Sequence, residues 1–215
     1  PDMLCIRSFF RIFAAEIFIN MNILGRLFIY IRRINHCKGF GVQSPFAYKF
    51  ITDVINEHYS YYSYKDLDSL YPQLDVMNRK LCRLYFRISN FCQADYFVDS
   101  NPDQIVYSDY IRYGCRKTEM VRMTELLNKS EKTDNTYIVR LSATGDCKSW
   151  SWTLLDQLSE NSVIIVQDIH QNNDAKAFWR QLQNCDQVGI TFDLYYAGII
   201  FLDVKRYKQN YIVNF

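Results

Sequence analysis

The sequence lacks the signatures of several common enzyme and metal-binding classes. It contains no G-x-S-x-G, Walker or H-E-x-x-H motif and no zinc-finger spacing. Its seven cysteines form no C-x-x-C pair and their number is odd, so the spacing predicts neither a disulfide framework nor a zinc site. We therefore expect reduced thiols, as in a cytoplasmic protein, and no bound metal.

The chain also lacks a marked excess of charge of either sign. Its 215 residues carry a formal net charge of +2, with 49% hydrophobic and 22% charged residues. This composition is typical of a globular protein with a sizeable core, and it gives no basic surplus for binding nucleic acid. The aromatic share is 16%, which we attribute to core packing rather than to a surface that stacks on bases or sugars.

A long uninterrupted hydrophobic run is missing as well. Arg7, Arg11, Glu16 and Arg26 interrupt the apolar N-terminal segment, whereas a span of the bilayer needs about 20 apolar residues. No small-residue cleavage site marks a signal peptide. Met21 is an alternative start, which would make residues 1–20 an extension.

Apolar residues recur at helical spacing in this segment, at Ile23, Leu27, Ile31 and Ile34, with arginines on the other faces. The pattern predicts an amphipathic helix. Such a helix could dock on its own domain, pair with a second copy in a homodimer, or lie on a membrane surface. No transmembrane segment is predicted.

The first third of the chain is predicted to be helical, and we assign residues 1–90 to an N-terminal helical region. Ser44 is a good N-cap and Pro45 a good first helical residue after the loop of Gly39 and Gly41. Two glycines before a helix can also cradle a phosphate, but no strand precedes them, so a structural turn is favoured. A second amphipathic helix is predicted over residues 77–92, with Arg87 among its solvent-facing basic residues.

From about residue 94 the pattern alternates between strands and helices, which predicts parallel βαβ units in an α/β domain over residues 91–215. The run "SVIIVQDI" is apolar almost throughout, as a strand buried on both faces requires. The segments "GITFDLYYAGIIFLD" and "NYIVNF" are predicted as the last two strands. Because their connection is short, they should be antiparallel.

Four segments together resemble a known group of proteins. They are "GFGVQSPF" at 39–46, "QDIH" at 167–170, "FWRQL" around Trp179 and "TFDLYYAGIIFL" at 191–202. The chain is similar in these to an uncharacterised bacterial group of class I S-adenosylmethionine (SAM)-dependent methyltransferases, over residues 39–64 and 162–215. Gln43 stands where the group has His, and Gln167 where it has Asp. The resemblance implies a Rossmann-like methyltransferase sheet, mostly parallel with a C-terminal antiparallel hairpin.

The resemblance also implies a cofactor loop after the first strand, with an acid-x-Gly-x-x-Gly pattern. In "YFVDSNPDQIVYSDY", Asp99 would be the acid and Asn101 would lie in the loop as a second cofactor-binding residue. No glycine follows until Gly114, and Pro102 removes a backbone donor and fixes φ. The second strand ends without a clear acid, and about one strand–helix unit is shortened or lost. We therefore expect that normal SAM binding has been lost.

Asp168 and His170 are the candidate catalytic residues. In an extended chain they would face the same side, where the carboxylate could orient the imidazole as a general base. Alternatively, Asp168 caps a turn or the next helix and His170 is a polar loop residue. One carboxylate is too few for a divalent cation.

Two functions follow. The chain is either a degenerate methyltransferase homologue that binds a small molecule or protein as a scaffold, or an active SAM-dependent methyltransferase with an atypical loop that acts on a small molecule or glycan precursor.

Overall fold

The computed structural model describes residues 24–36, 39, 41–128, 132–144 and 147–215. The helices are α1 (24–32), α2 (Pro45–Phe50), α3 (Ser63–Leu70), α4 (Val76–Cys92), α5 (Ile105–Gly114), α6 (Met123–Leu127), α7 (Cys147–Gln157) and α8 (Asn173–Asn184). The strands are β1 (Tyr96–Asp99), β2 (Glu119–Arg122), β3 (Tyr137–Ser142), β4 (Val163–Gln167), β5 (Ile190–Asp193), β6 (Ala197–Phe201) and β7 (Gln209–Ile212). The interpretation of residues 1–20 as an extension, and Ile23 of the predicted apolar stripe, lie outside the described residues.

The seven described strands form one sheet in the order β2-β1-β3-β4-β6-β5-β7. Every neighbouring pair is parallel except the two that β6 makes, with β4 and with β5. The predicted α/β class, with a mostly parallel sheet and an antiparallel hairpin near the C-terminus, is confirmed.

The position of the hairpin differs from the prediction. The segment predicted as one long strand contains both β5 and β6, and Leu194 N–H donates to Ala197 C=O at 2.9 Å across the turn between them. Tyr195 in this turn has φ of 73°. The last strand, β7, pairs in parallel with β5 and has no pairing with β6. The turn was missed because its residues are apolar or aromatic and lack the usual Gly, Asn or Pro signal.

The start of α2 is formed as the sequence predicted. The Ser44 side chain accepts a hydrogen bond from Ala47 N–H at 3.3 Å, and Pro45 occupies the first turn. Gly39 and Gly41 have φ of +68° and +81°, a left-handed conformation that glycine adopts at little cost. The helix continues into a π-helical turn, Ile51–Ile55.

Helices cover both faces of the sheet. On one face, α2 to α5 share a core with the strands, and the Phe50 ring lies 4.9 Å from the rings of both Phe192 and Phe201. On the other face, α6 to α8 pack around residues such as Val139 and Trp179. The N-terminal helices and the sheet thus share one continuous core, while the division at residue 90 remains a prediction.

Arg87 departs from the prediction that it faces solvent. Only 6% of the residue is exposed, and its guanidinium donates to the carbonyls of Val54 at 2.5 Å and Ile55 at 3.3 Å. These carbonyls end the π-helical turn, where backbone acceptors lack partners within the helix. The amphipathic pattern does not show that Arg87 is buried, because its carbonyl acceptors lie more than 30 residues away in the sequence.

The described part of α1 leaves most of its apolar side chains in solvent. Leu24, Leu27, Phe28 and Ile31 are each more than half exposed, and so is Ile34 just after the helix. The end of the helix is tied to the C-terminus, since Asn214 donates to the carbonyls of Tyr30 and His36. In the part of the chain that the structure describes, no helix is long and apolar enough to cross a bilayer.

Candidate functional site

The sheet order places a topological switch point between β1 and β3. From β1 the chain moves outward to β2, and it then returns to β3 on the opposite side of β1. In open α/β sheets, ligands bind beyond the carboxyl ends of the strands at such a point. Asp99 ends β1, Ser142 ends β3 and Gln167 ends β4, so these residues border the expected site.

A buried arginine from β3 fills the space between these strand ends. The NH1 atom of Arg140 lies 2.7 Å from Oδ1 of Asp99, and the two side chains are only 6% and 4% exposed. Its NH2 atom donates to Gln104 Oε1 at 2.6 Å and also to Gln167 Oε1. The guanidinium therefore links β1, β4 and the start of α5.

Two aromatic residues enclose this guanidinium. The Arg140 guanidinium carbon lies 3.7 Å from the centre of the Tyr107 ring, close enough for a cation–π interaction. Tyr107 in turn accepts a hydrogen bond from the Gln167 amide at 3.3 Å. Tyr85 is fully buried near the same cation, and this burial raises its pKa well above the usual value. The strand ends are thus bound to each other by the chain's own side chains.

Asp99 lies where the resemblance implied, and Asn101 lies beside it. The backbone N–H of Asn101 donates to Asp99 Oδ1 at 2.8 Å, so the loop folds back on the carboxylate. Burial raises the pKa of Asp99, although the Arg140 charge acts in the opposite direction. The second oxygen, Oδ2, is buried and has no hydrogen-bond partner among the described residues.

A cleft of about 520 Å³ adjoins the carboxyl ends of β1 and β2. Asp99 and Pro102 line one side of it, and Met120 and Met123 line another. Its lining includes residues of β1 and β2, and Arg140 is not among them.

The two candidate catalytic residues are not brought together. Asp168 has φ of 62°, a left-handed conformation that breaks the extended chain at the end of β4. The alternation that would place Asp168 and His170 on the same side therefore stops at Gln167. Asp168 is exposed, and its carbonyl accepts a turn hydrogen bond from Gln171 N–H at 3.0 Å. The cap of α8 is Asn172, which accepts from Ala175 N–H at 2.7 Å.

The carboxylate partner of His170 is Asp193, at the end of β5. Its Oδ2 lies 2.8 Å from His170 Nε2, while its Oδ1 lies 2.7 Å from the NH2 atom of Arg33. Burial raises the pKa of Asp193, but the contacts with His170 and Arg33 outweigh it and hold the pKa below the usual value. One signal for this role is visible in the sequence, an acid at the end of the run "GITFD".

An aromatic ring fixes the His170 imidazole further. The rings of His170 and Tyr195 are stacked, with centroids 4.9 Å apart and planes inclined by 11°. The Arg33 guanidinium lies 5.2 Å from the centre of the same Tyr195 ring. This arrangement of Arg33, His170, Asp193 and Tyr195, here called the Asp193 cluster, joins the end of α1 to the β5–β6 turn.

No family model matches this chain, and no curated protein is similar to it in sequence. Among solved structures, it is similar to the SAH-bound methyltransferase PaMTH1 of Podospora anserina, with a TM-score of 0.47 and 10% identity, covering 74% of this chain and 93% of that one. For a methyltransferase from Geobacter sulfurreducens the TM-score is 0.44, with 8% identity and coverages of 68% and 92%.

A third similar structure is the O-methyltransferase TomG of Streptomyces achromogenes, involved in tomaymycin synthesis and solved in complex with SAM. Its TM-score is 0.40 with 10% identity, and the match covers 69% of this chain and 93% of TomG. Similarity of this degree says nothing about the activity of this chain.

Proposed function

We propose that this chain is a methyltransferase-like protein that has lost normal SAM binding and acts as a binding or scaffold protein. The observation that carries the proposal is the buried pair of Arg140 and Asp99 at the switch point. Asp99, the acid that the resemblance assigns to the cofactor, is already engaged by a guanidinium and by the Asn101 N–H.

Two physical arguments oppose the binding of SAM, a sulfonium nucleoside, at these residues. First, a ligand that drew Asp99 away from Arg140 would leave a buried cation unpaired, which costs about 3–5 kcal/mol. Second, the sulfonium of SAM is itself positive and would approach a guanidinium in a region of low dielectric. The loop offers a ligand fewer backbone donors than a glycine-rich loop would, because Pro102 has no N–H and no glycine lets the backbone approach closely.

A second function, an active methyltransferase acting on a small molecule or glycan precursor, is favoured by one observation. Asp99 lines the cleft of about 520 Å³, and Oδ2 of this carboxylate is buried without a hydrogen-bond partner among the described residues. A buried acceptor without a donor is unfavourable, and a ligand hydroxyl or amine could satisfy it. In that case Asp99 would hold the cofactor from the β2 side.

Thermal unfolding in the presence of SAM and of S-adenosylhomocysteine (SAH) distinguishes the two functions. A ligand at 100 times its Kd stabilises the folded state by about 2.7 kcal/mol, which is readily visible as a rise in Tm. The binding-protein proposal expects no rise at millimolar concentrations of either ligand. A saturable rise that Asp99→Ala abolishes would instead establish the active methyltransferase.

The partner in the scaffold role would be a small molecule or a protein in the cytoplasm, and we expect no nucleic acid. Self-association as a homodimer and contact with a membrane surface through α1 remain predictions. The exposed apolar side chains of α1 give both a physical basis.

A further inference from the structure

A second cleft, of about 680 Å³, shares no lining residue with the 520 Å³ cleft. It is bordered by α1, by α8 and by the ends of β5 and β7. The Asp193 cluster lines it through Arg33, His170, Asp193 and Tyr195. Neither Asp99 nor Arg140 is among its lining residues, so a ligand could bind here without contacting the switch point.

The lining of this cleft is strongly cationic. The lining contains four cationic side chains and one carboxylate, an excess of three positive charges. The cations are Arg32, Arg33, Lys176 and Arg180, and the acid is Asp193. Asp193 is already paired with Arg33 and His170. Arg32, Lys176 and Arg180 form no ion pair with any residue in the described ranges. A cleft lined by one sign of charge concentrates ligands of the opposite sign.

A buried donor in the same cleft lacks an acceptor. Trp179 lines the cleft and is only 2% exposed, yet its indole N–H has no hydrogen-bond partner among the described residues. The ring is held firmly, since its six-membered edge packs against Gly198, where an added Cβ would lie 2.4 Å from it. An unsatisfied buried donor is costly, so an acceptor brought within reach of this N–H by a small movement of the indole would be stabilising.

We propose that this cleft binds a phosphate monoester whose phosphate lies between the cations of α1 and α8 and whose apolar or planar substituent packs on the aromatic wall. A dianionic phosphate offsets the three excess charges better than a single carboxylate, and guanidinium groups bind phosphate oxygens bidentately. Phe28 and Tyr195 supply the aromatic wall. The Asp193 cluster keeps Arg33 and His170 in place and leaves the α8 cations free for the ligand.

The phosphate could come from a soluble metabolite or from a lipid headgroup, and two arms of one experiment separate these sources. In the first arm, phenyl phosphate and inorganic phosphate are titrated into the full chain by calorimetry. In the second, the chain is sedimented with vesicles of phosphatidylcholine alone or with phosphatidic acid added. Each arm is repeated with a variant that combines Lys176→Gln and Arg180→Gln. The control variant combines Arg112→Gln and Arg116→Gln, which removes two exposed cations outside the cleft.

Phenyl phosphate should bind saturably and more tightly than inorganic phosphate. The α8 variant should weaken this binding about tenfold or more, while the control should keep it, because hydrogen bonds to charged groups carry much of such affinity. Sedimentation only with phosphatidic acid, lost in the α8 variant alone, supports the proposal with a lipid as the source. The proposal is overturned if neither arm shows binding, or if both variants weaken binding equally. Circular dichroism of each variant verifies that the fold is kept.

Discussion

Arg140 and Asp99 form a buried ion pair across neighbouring strands, with NH1 of the arginine 2.7 Å from Oδ1 of the aspartate. The pair lies where an α/β sheet of this order would bind a ligand. Stability and cofactor binding therefore compete for the same carboxylate. If the proposed function is right, substitutions in this pair will strongly change the free energy of unfolding. No methyl transfer is expected from either the native chain or the variants.

Arg140→Leu should lower the free energy of unfolding by about 3–5 kcal/mol, because it leaves the Asp99 carboxylate buried and unpaired. Urea denaturation measures the change as a shift in midpoint at constant slope. Lys205→Met is the matched control, since it breaks a surface pair with Glu160 whose lysine side chain is 76% exposed. The control midpoint should be nearly unchanged. Equal shifts in the two variants would contradict a special role for the buried pair.

Asp193 should make stability depend on pH in the acid range. Its contacts lower its pKa in the folded protein, whereas in the unfolded chain it is about 3.9. The stability that this carboxylate contributes is therefore fully present above the unfolded pKa and is lost as pH falls through the lower folded value. The gap in unfolding free energy between the native chain and Asp193→Asn should narrow below about pH 4.

Asp186→Asn serves as the control for this titration, since it removes an exposed carboxylate without an ion pair among the described residues. Its difference from the native chain should be small at every pH. A gap for Asp193→Asn that stays constant from pH 7 to pH 3 would show that the cluster does not stabilise the charged form.

Gly198→Ala should destabilise the chain by about 1–3 kcal/mol, the usual cost of overpacking a core. An added Cβ would lie 2.4 Å from the Trp179 ring, so the indole or β6 must move. Gly25→Ala is the matched control, because nothing lies within 4 Å of a Cβ there. Thermal unfolding measures the Tm of both variants. A Tm for Gly198→Ala equal to that of the native chain would mean that the indole is not fixed in this position.

The order of strands and helices could be predicted from the sequence because it depends on local patterns. The run "SVIIVQDI" and the Ser44–Pro45 helix start carry their signals within a few residues. The β5–β6 turn could not be found in this way, since Leu194, Tyr195 and Tyr196 offer no turn residue and the left-handed Tyr195 is held by the hairpin. Sequence patterns do not show such tertiary constraints.

The site was predicted only in part, for a related reason. Asp99 could be placed at the end of β1, but Arg140 stands out in the sequence only as a lone cation in an apolar strand. Such a residue must find a partner if it is buried, and that rule could have pointed to Asp99. His170 was identified with the wrong partner, because a single left-handed residue, Asp168, ended the alternation and Asp193 lies 23 residues away.

The central claim is that Arg140 has closed the cofactor position, and direct titration of SAH into the full chain tests it most simply. SAH lacks the sulfonium charge, so failure to bind would reflect the closed site rather than charge repulsion alone. The account predicts no saturable heat up to millimolar SAH, and the same for SAM. Saturable binding of SAH with a one-to-one stoichiometry, abolished by Asp99→Ala, would contradict it.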